Sequence, residues 1–193
     1  MDMLVTLGRT LGFSLAAGVN LYATVALVGL AARFGWVSLP EQFQVFNNPW
    51  IIGVAGVLYV VEFFADKIPW VDTLWDAVHT FVRPVGGALI AVASLGEASP
   101  GMEGMVALLG GAVAAGSHAT KAGTRVAANA SPEPFSNWGL SLLEDVLVVG
   151  LGFVTLKFPL LALGVSLAIL LAMILAARWI WRSLRRASEP RPA

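Results

Sequence analysis

The chain has 193 residues, 58% of them hydrophobic and only 12% charged, and its 12 basic residues balance its 12 acidic ones. Mean hydropathy is +0.79. Windows of about 20 almost wholly apolar residues recur, as membrane-spanning helices require, and this length allows about six short spans with no separate soluble domain. With no cysteine, disulfides, thiolate metal sites and a cysteine nucleophile are excluded. No basic patch is interleaved with stacking aromatics, so nucleic acid is not expected as a partner.

Taken in order, the first element runs from Leu4 to Ala32 and is too long for one straight span. Its centre, Ala16-Ala17-Gly18-Val19-Asn20, reads as a break or re-entrant tip. The second span, Trp50 to Ala65, carries Glu62 inside it and Asp66 at its end. A turn set by Pro69 follows. Asp72 to Arg83 is then expected as an amphipathic helix lying in the headgroup region. Asp72, Asp76, His79, Thr80 and Arg83 form its solvated side, with Trp70 and Trp75 as interface anchors.

Pro84 opens a short third span, Val85 to Leu95, and an acidic hairpin leads on through Glu97 and Glu103. The fourth element, Gly104 to Gly116, is rich in Gly and Ala; Gly111 and Ala115 suit close helix contact. A stripe follows directly: at ~100° per residue, His118, Lys121, Arg125 and Asn129 share one helix face, with only Ala, Gly, Thr and Val between them. Ser131 to Asn137 reads as a loop with two prolines. The fifth span, Trp138 to Leu156, contains Glu144 and Asp145, and the sixth runs from Leu160 to Ile180. The sixth ends in Arg178, Arg182, Arg185 and Arg186, and residues 183–193 are expected as a disordered tail. Placing that basic end in the cytoplasm also puts most other Lys and Arg residues inside.

The two halves resemble each other. Leu15-Ala16-Ala17-Gly18 matches Val113-Ala114-Ala115-Gly116, which sets Asn20 opposite His118. Leu58 to Glu62 likewise matches Leu140 to Glu144, and Arg83 before Pro84 matches Lys157 before Pro159. The fold expected is an all-α polytopic membrane protein, a single membrane domain over 1–182. It has two related three-element halves, about 4–97 and about 101–182, with the second inverted relative to the first.

Several strings also resemble a known family. They are Asp66-Lys67-Ile68-Pro69-x-Val71-Asp72, Trp75-Asp76-x-Val78-His79-Thr80-Phe81-x-Arg83-Pro84, His118-x-x-Lys121 with Arg125, Ser131-Pro132 through Asn137, and Glu144-Asp145. Together they resemble the bacterial membrane proteins grouped as domain of unknown function 4126, over about Gly12 to Leu156. The resemblance implies a polytopic membrane protein and carries no activity; the bacterial inner membrane is the location expected for this chain.

Function therefore rests on the polar residues. A cationic face in a greasy chain needs a counter-charge, water or an anionic ligand. His118, Lys121, Arg125, Asn129 and Asn20 are candidates to bind a phosphate or carboxylate, since Arg offers a planar fork and Lys a point charge. A break near Gly116 would add the positive end of a helix dipole. Glu62, Asp66, Glu144 and Asp145 are candidates to balance that charge or carry protons. Two histidines without paired spacing give no transition-metal site, and no cofactor is expected. The leading expectation is a homodimeric transporter or flippase-like carrier of an anionic small molecule or phosphate-bearing lipid. The alternatives are a lipid-active membrane enzyme, although no hydrolase elbow or phosphate loop is present, and a structural membrane protein whose charges only pair.

Overall fold

The computed structural model describes residues 3–36, 39, 41–129 and 135–188, all helices and connections. These residues form seven α-helices: α1 (Met3–Val19), α2 (Leu21–Arg33), α3 (Pro49–Ala65), α4 (Pro69–Leu95), α5 (Pro100–Asn129), α6 (Phe135–Lys157) and α7 (Pro159–Ser188). A 3-10 helix, Glu41–Asn47, precedes α3. Proline at the first helical position starts α3, α4, α5 and α7, where its missing N–H costs nothing and its fixed φ suits the helix. Gly96 ends α4 at φ +78°, ψ −155°, a conformation open essentially to glycine.

Among the described residues, three helices are long and apolar enough to cross a membrane: Pro69–Leu95, Asn137–Lys157 and Pro159–Arg182. The 3-10 helix and α3, bent by 65°, make a fourth if taken together, and α1 and α2 are shorter apolar helices. At 30 residues α5 has the length, but its glycines and charged face lower its hydropathy. Exposed aliphatic and aromatic side chains cover the outside: Val57 and Phe64 on α3, Leu74 and Phe81 on α4, Val146 on α6 and Leu171 on α7. That is the surface hydrocarbon demands and water would oppose.

The expected break in the first element is present. Asn20 adopts an extended conformation (φ −148°, ψ 101°), and its side chain accepts a 2.9 Å hydrogen bond from Ala23 N to cap α2. Asn20 is thus 2% exposed and committed to its own helix end, rather than facing a ligand beside His118.

The structure departs from the sequence reading in four further places. The interfacial helix does not exist as a separate element, because α4 continues through Pro84 to Leu95. Proline is tolerated inside membrane helices where neighbours compensate the lost bond. The polar side of that segment is buried: Asp72 0%, Asp76 6%, His79 2% and Arg83 0% exposed, while Leu74, Val78 and Phe81 face out. A helix on a membrane and one inside it with its polar face turned inward have the same period, so the sequence pattern alone could not separate them.

The remaining departures concern α5, α6 and α7. α5 is unbroken at Gly116, so no helix N-terminus reinforces the stripe there. Its glycines serve contact instead: a methyl group on Gly110 would overlap Ala91, and one on Gly87 of α4 would overlap Ala114. Phe135, Ser136 and Asn137, expected in a loop, are helical; residues 130–134 of that loop lie outside the described residues. α7 extends to Ser188, so 183–188 are helical where a tail was expected, while 189–193 are not among the described residues.

Candidate functional site

The core of the molecule is an antiparallel contact between α4 and α5. Near Gly87 and Gly110 the two helices touch through small residues; toward the N-terminus of α4 the same faces carry charge. Asp72, Asp76, His79 and Arg83 along α4 run opposite Asn129, Arg125, Lys121 and His118 along α5, and α3 adds Glu62 and Asp66. From Asn129 to His118 the polar ladder spans about 16 Å of helix, roughly half the hydrocarbon thickness of a bilayer.

Arg125 is the most heavily bonded member. Its Nε donates to both carboxylate oxygens of Glu144 (3.0 and 3.2 Å) and its Nη2 to Glu144 Oε2 (2.6 Å) and Asp66 Oδ2 (3.0 Å). Nη1 donates to the Asp66 carbonyl (3.0 Å) and to Asn137 Oδ1 (2.8 Å). Asn137 returns a bond from its Nδ2 to the same carbonyl (3.3 Å). A planar guanidinium with five fixed donors suits such a set.

Lys121 lies between three acids: Asp66 Oδ2 at 3.0 Å, Glu62 Oε1 at 3.4 Å and Glu144 Oε2 at 3.5 Å. It links α3 to α6, and its contacts with Glu62 and Glu144 are longer than those Arg125 makes with Asp66 and Glu144. Arg83 donates to Glu62 Oε1 (2.9 Å), to the Gly18 carbonyl at the end of α1 (3.3 Å) and to His118 Nδ1 (2.6 Å), and lies 3.3 Å from Asp76 Oδ1. The end of α1 is the negative end of its dipole, so a cation there is favoured twice.

The bonding of His118 assigns its tautomer by elimination. His118 Nδ1 meets the arginine, which can only donate, so it is the acceptor; Nε2 carries the hydrogen toward the Asp76 carbonyl (3.1 Å). His79 Nδ1 meets the Trp75 carbonyl (2.7 Å) and must donate, and its Nε2 lies 2.9 Å from the Tyr22 hydroxyl. The His118 imidazole adds no charge in this arrangement.

Of the expected binding residues, His118, Lys121 and Arg125 are thus brought together, but against protein partners. Asn129 bonds to Asp72 Oδ2 (2.9 Å) and the Pro69 carbonyl (3.3 Å), and Asn20 stands apart as a cap. Glu62, Asp66 and Glu144 all join the network. Asp145 points elsewhere, toward Tyr59 and Lys67. In the turn between α3 and α4, Lys67 lies 3.1 Å over the Phe63 ring and donates to the Phe63 carbonyl (2.8 Å); burial pulls its pKa down.

Arg83, Asp72, Asp76 and Asn137 are network members that the sequence reading left out. The signal for the α4 residues was present: they repeat at the same helical spacing as the α5 stripe, which is what two facing helices need.

A crevice of about 240 Å³ opens beside the network between α1, α5, α6 and α7. Its walls are largely apolar, with Leu143, Leu147, Leu151, Ile169 and Met173 among them, and its only charged lining residues are Lys121 and Glu144. A second groove, between α2 and α3, has Tyr22 and Trp50 in its walls but no charged residue.

The sequence profile of the family described as Domain of unknown function (DUF4126) matches residues 7–179. No curated protein and no solved structure matches the chain.

Proposed function

We propose that this chain, which belongs to the DUF4126 family, is a small membrane carrier for an amphiphile with an anionic, phosphate-type head group. The observation that carries the reading is the crevice lined by Lys121 and Glu144, whose contact, at 3.5 Å, is the longest ion pair of the network. An alkyl chain against Leu147, Leu151 and Met173 removes apolar surface from less well-packed surroundings, and a phosphate at the polar end takes Lys121 from Glu144. Glu144 stays held by Arg125 through three short bonds, so the exchange leaves no acid stranded. His118 and Arg125 act behind Lys121 by fixing its surroundings, and the acids balance charge when the site is empty.

Around this site we read the chain as a bacterial inner-membrane protein with its C-terminus cytoplasmic, next to Arg178, Arg182 and Arg185, in keeping with the positive-inside rule. Two inverted halves and a homodimer complete the proposal. The ordered match of Glu62 with Glu144 supports the halves, and the unbroken α5 opposite the broken α1–α2 pair weakens them.

A second reading has its own support. Every nitrogen of Arg125 is already bonded within the protein, which is what a purely structural network would require. Thermal unfolding in detergent separates the two. A single-chain alkyl phosphate should raise the unfolding temperature of the wild type more than a neutral amphiphile of equal chain length does, and that difference should vanish in Lys121→Met. Equal response to both amphiphiles would favour the structural reading.

A further inference from the structure

The buried network holds more acid than base: Arg83, Lys121 and Arg125 face Glu62, Asp66, Asp72, Asp76 and Glu144, and His118 is neutral by its bonding. Four of these acids touch a Lys or Arg; Asp72 does not, although its residue is 0% exposed. Its polar partner is Asn129, whose Nδ2 donates to Asp72 Oδ2 at 2.9 Å. The amide is not reversed, because the same nitrogen also faces the Pro69 carbonyl, which can only accept. Two buried oxygens of this pair are left without a hydrogen, Asp72 Oδ1 and Asn129 Oδ1.

A carboxylate beside a carboxamide can answer only the amide's N–H. A carboxylic acid answers both ends, accepting at one oxygen and donating from the other to the amide oxygen. We propose that Asp72 is a protonation site, carrying a proton on Oδ1 within an acid–amide pair with Asn129. One proton supplies the donor that both orphaned oxygens lack, and it lowers the excess negative charge of the core.

The surroundings agree. Arg125 of α5 is the cation that acts on Asp72 but is engaged with Asp66 and Glu144; Asp66 at the end of α3 and Asp76 one turn along α4 both disfavour a further negative charge. α2 brings Tyr22, which is bonded to His79, and α1 brings the Gly18 carbonyl, which is bonded to Arg83. Asp72 lies in the first turn of α4, where the helix dipole favours an anion, yet a partial charge at a helix end offsets only part of the desolvation of a full carboxylate. A metal is a poorer occupant, since among the described residues no three His, Asp or Glu side chains converge as a metal site would need. The Asn129–Pro69 bond is exposed, so the proton exchanges with water at that membrane surface.

This inference stands whether or not the protein is a carrier. Infrared spectroscopy of the full chain in lipid nanodiscs tests it through the C=O stretch of a protonated carboxyl group. At pH 7 an ordinary aspartic acid is protonated in roughly one molecule in a thousand, so a band of about one carboxyl per chain stands out. The expected result is such a band in wild type and in Asp145→Asn, its loss in Asp72→Asn, and a shifted band in Asn129→Ala. Asp72→Asn should also fold and melt as wild type does, because its amide replaces the protonated acid. Absence of the band at pH 7, its survival in Asp72→Asn, no shift in Asn129→Ala, or failure of Asp72→Asn to fold would each overturn the assignment.

Discussion

Replacing Arg125 by methionine removes the cation that joins α5 to α3 and α6 while keeping much of its apolar stem. Glu144 loses its shortest bond, Asp66 loses one of its two 3.0 Å bonds, and the Asp66 and Asn137 carbonyls lose a donor. Removing one partner of a buried pair costs about 3–5 kcal/mol, because the other charge stays buried and unanswered. Two features set the expectation at the lower end: the Glu144 side chain is 14% exposed, and Lys121 still lies 3.0 Å from Asp66 and 3.5 Å from Glu144. About 3 kcal/mol is therefore expected, a factor of more than a hundred in the folding equilibrium. Denaturant unfolding in mixed micelles, followed by tryptophan fluorescence, measures it. Arg125→Met with Glu144→Met should recover more than a third of the loss, since two apolar side chains replace a pair and leave one fewer unmatched acid. A single variant within 0.5 kcal/mol of wild type would refute the idea that this pair organises the core.

The inward orientation of α4 predicts that Asp76→Cys is unreactive toward a membrane-impermeant maleimide in intact membranes, since Asp76 is 6% exposed, whereas Glu103→Cys at the start of α5 labels readily. Rapid labelling at 76 would restore a helix lying in the headgroup region. Gly110→Val should place its branches against Ala91 and push α4 from α5, costing at least the 1–3 kcal/mol typical of overpacking. A wild-type melting temperature for this variant would contradict the close α4–α5 contact.

What could be read from the sequence divides along physical lines. The positions of helices followed from hydropathy and proline, so α3, α6 and the break at Asn20 fell close to expectation. Membrane helices with small or charged faces were harder, because Gly in α5 marks a contact as readily as a break and Pro84 within α4 only looks like a start. At the site, the acids and bases were visible as residues, and Glu62, Asp66 and Glu144 were named as possible partners for the stripe. Which acid meets which base depends on helix rotation and register, and a single sequence carries neither. The α4 face shows the cost: a moment of the right period gave the wrong outside, because water and hydrocarbon reverse its meaning.

The most direct test of the carrier reading is flux. Purified protein in liposomes would be given a fluorescent phosphate-headed lipid in one leaflet, and its arrival in the other followed by a membrane-impermeant quencher. Movement is expected to be faster than in protein-free vesicles, lost in Lys121→Met and kept in Lys157→Met, whose amine donates to the Trp36 carbonyl outside the network. Wild-type vesicles that match protein-free ones for every phosphate-headed lipid tried, or equal flux by well-folded Lys121→Met, would contradict it.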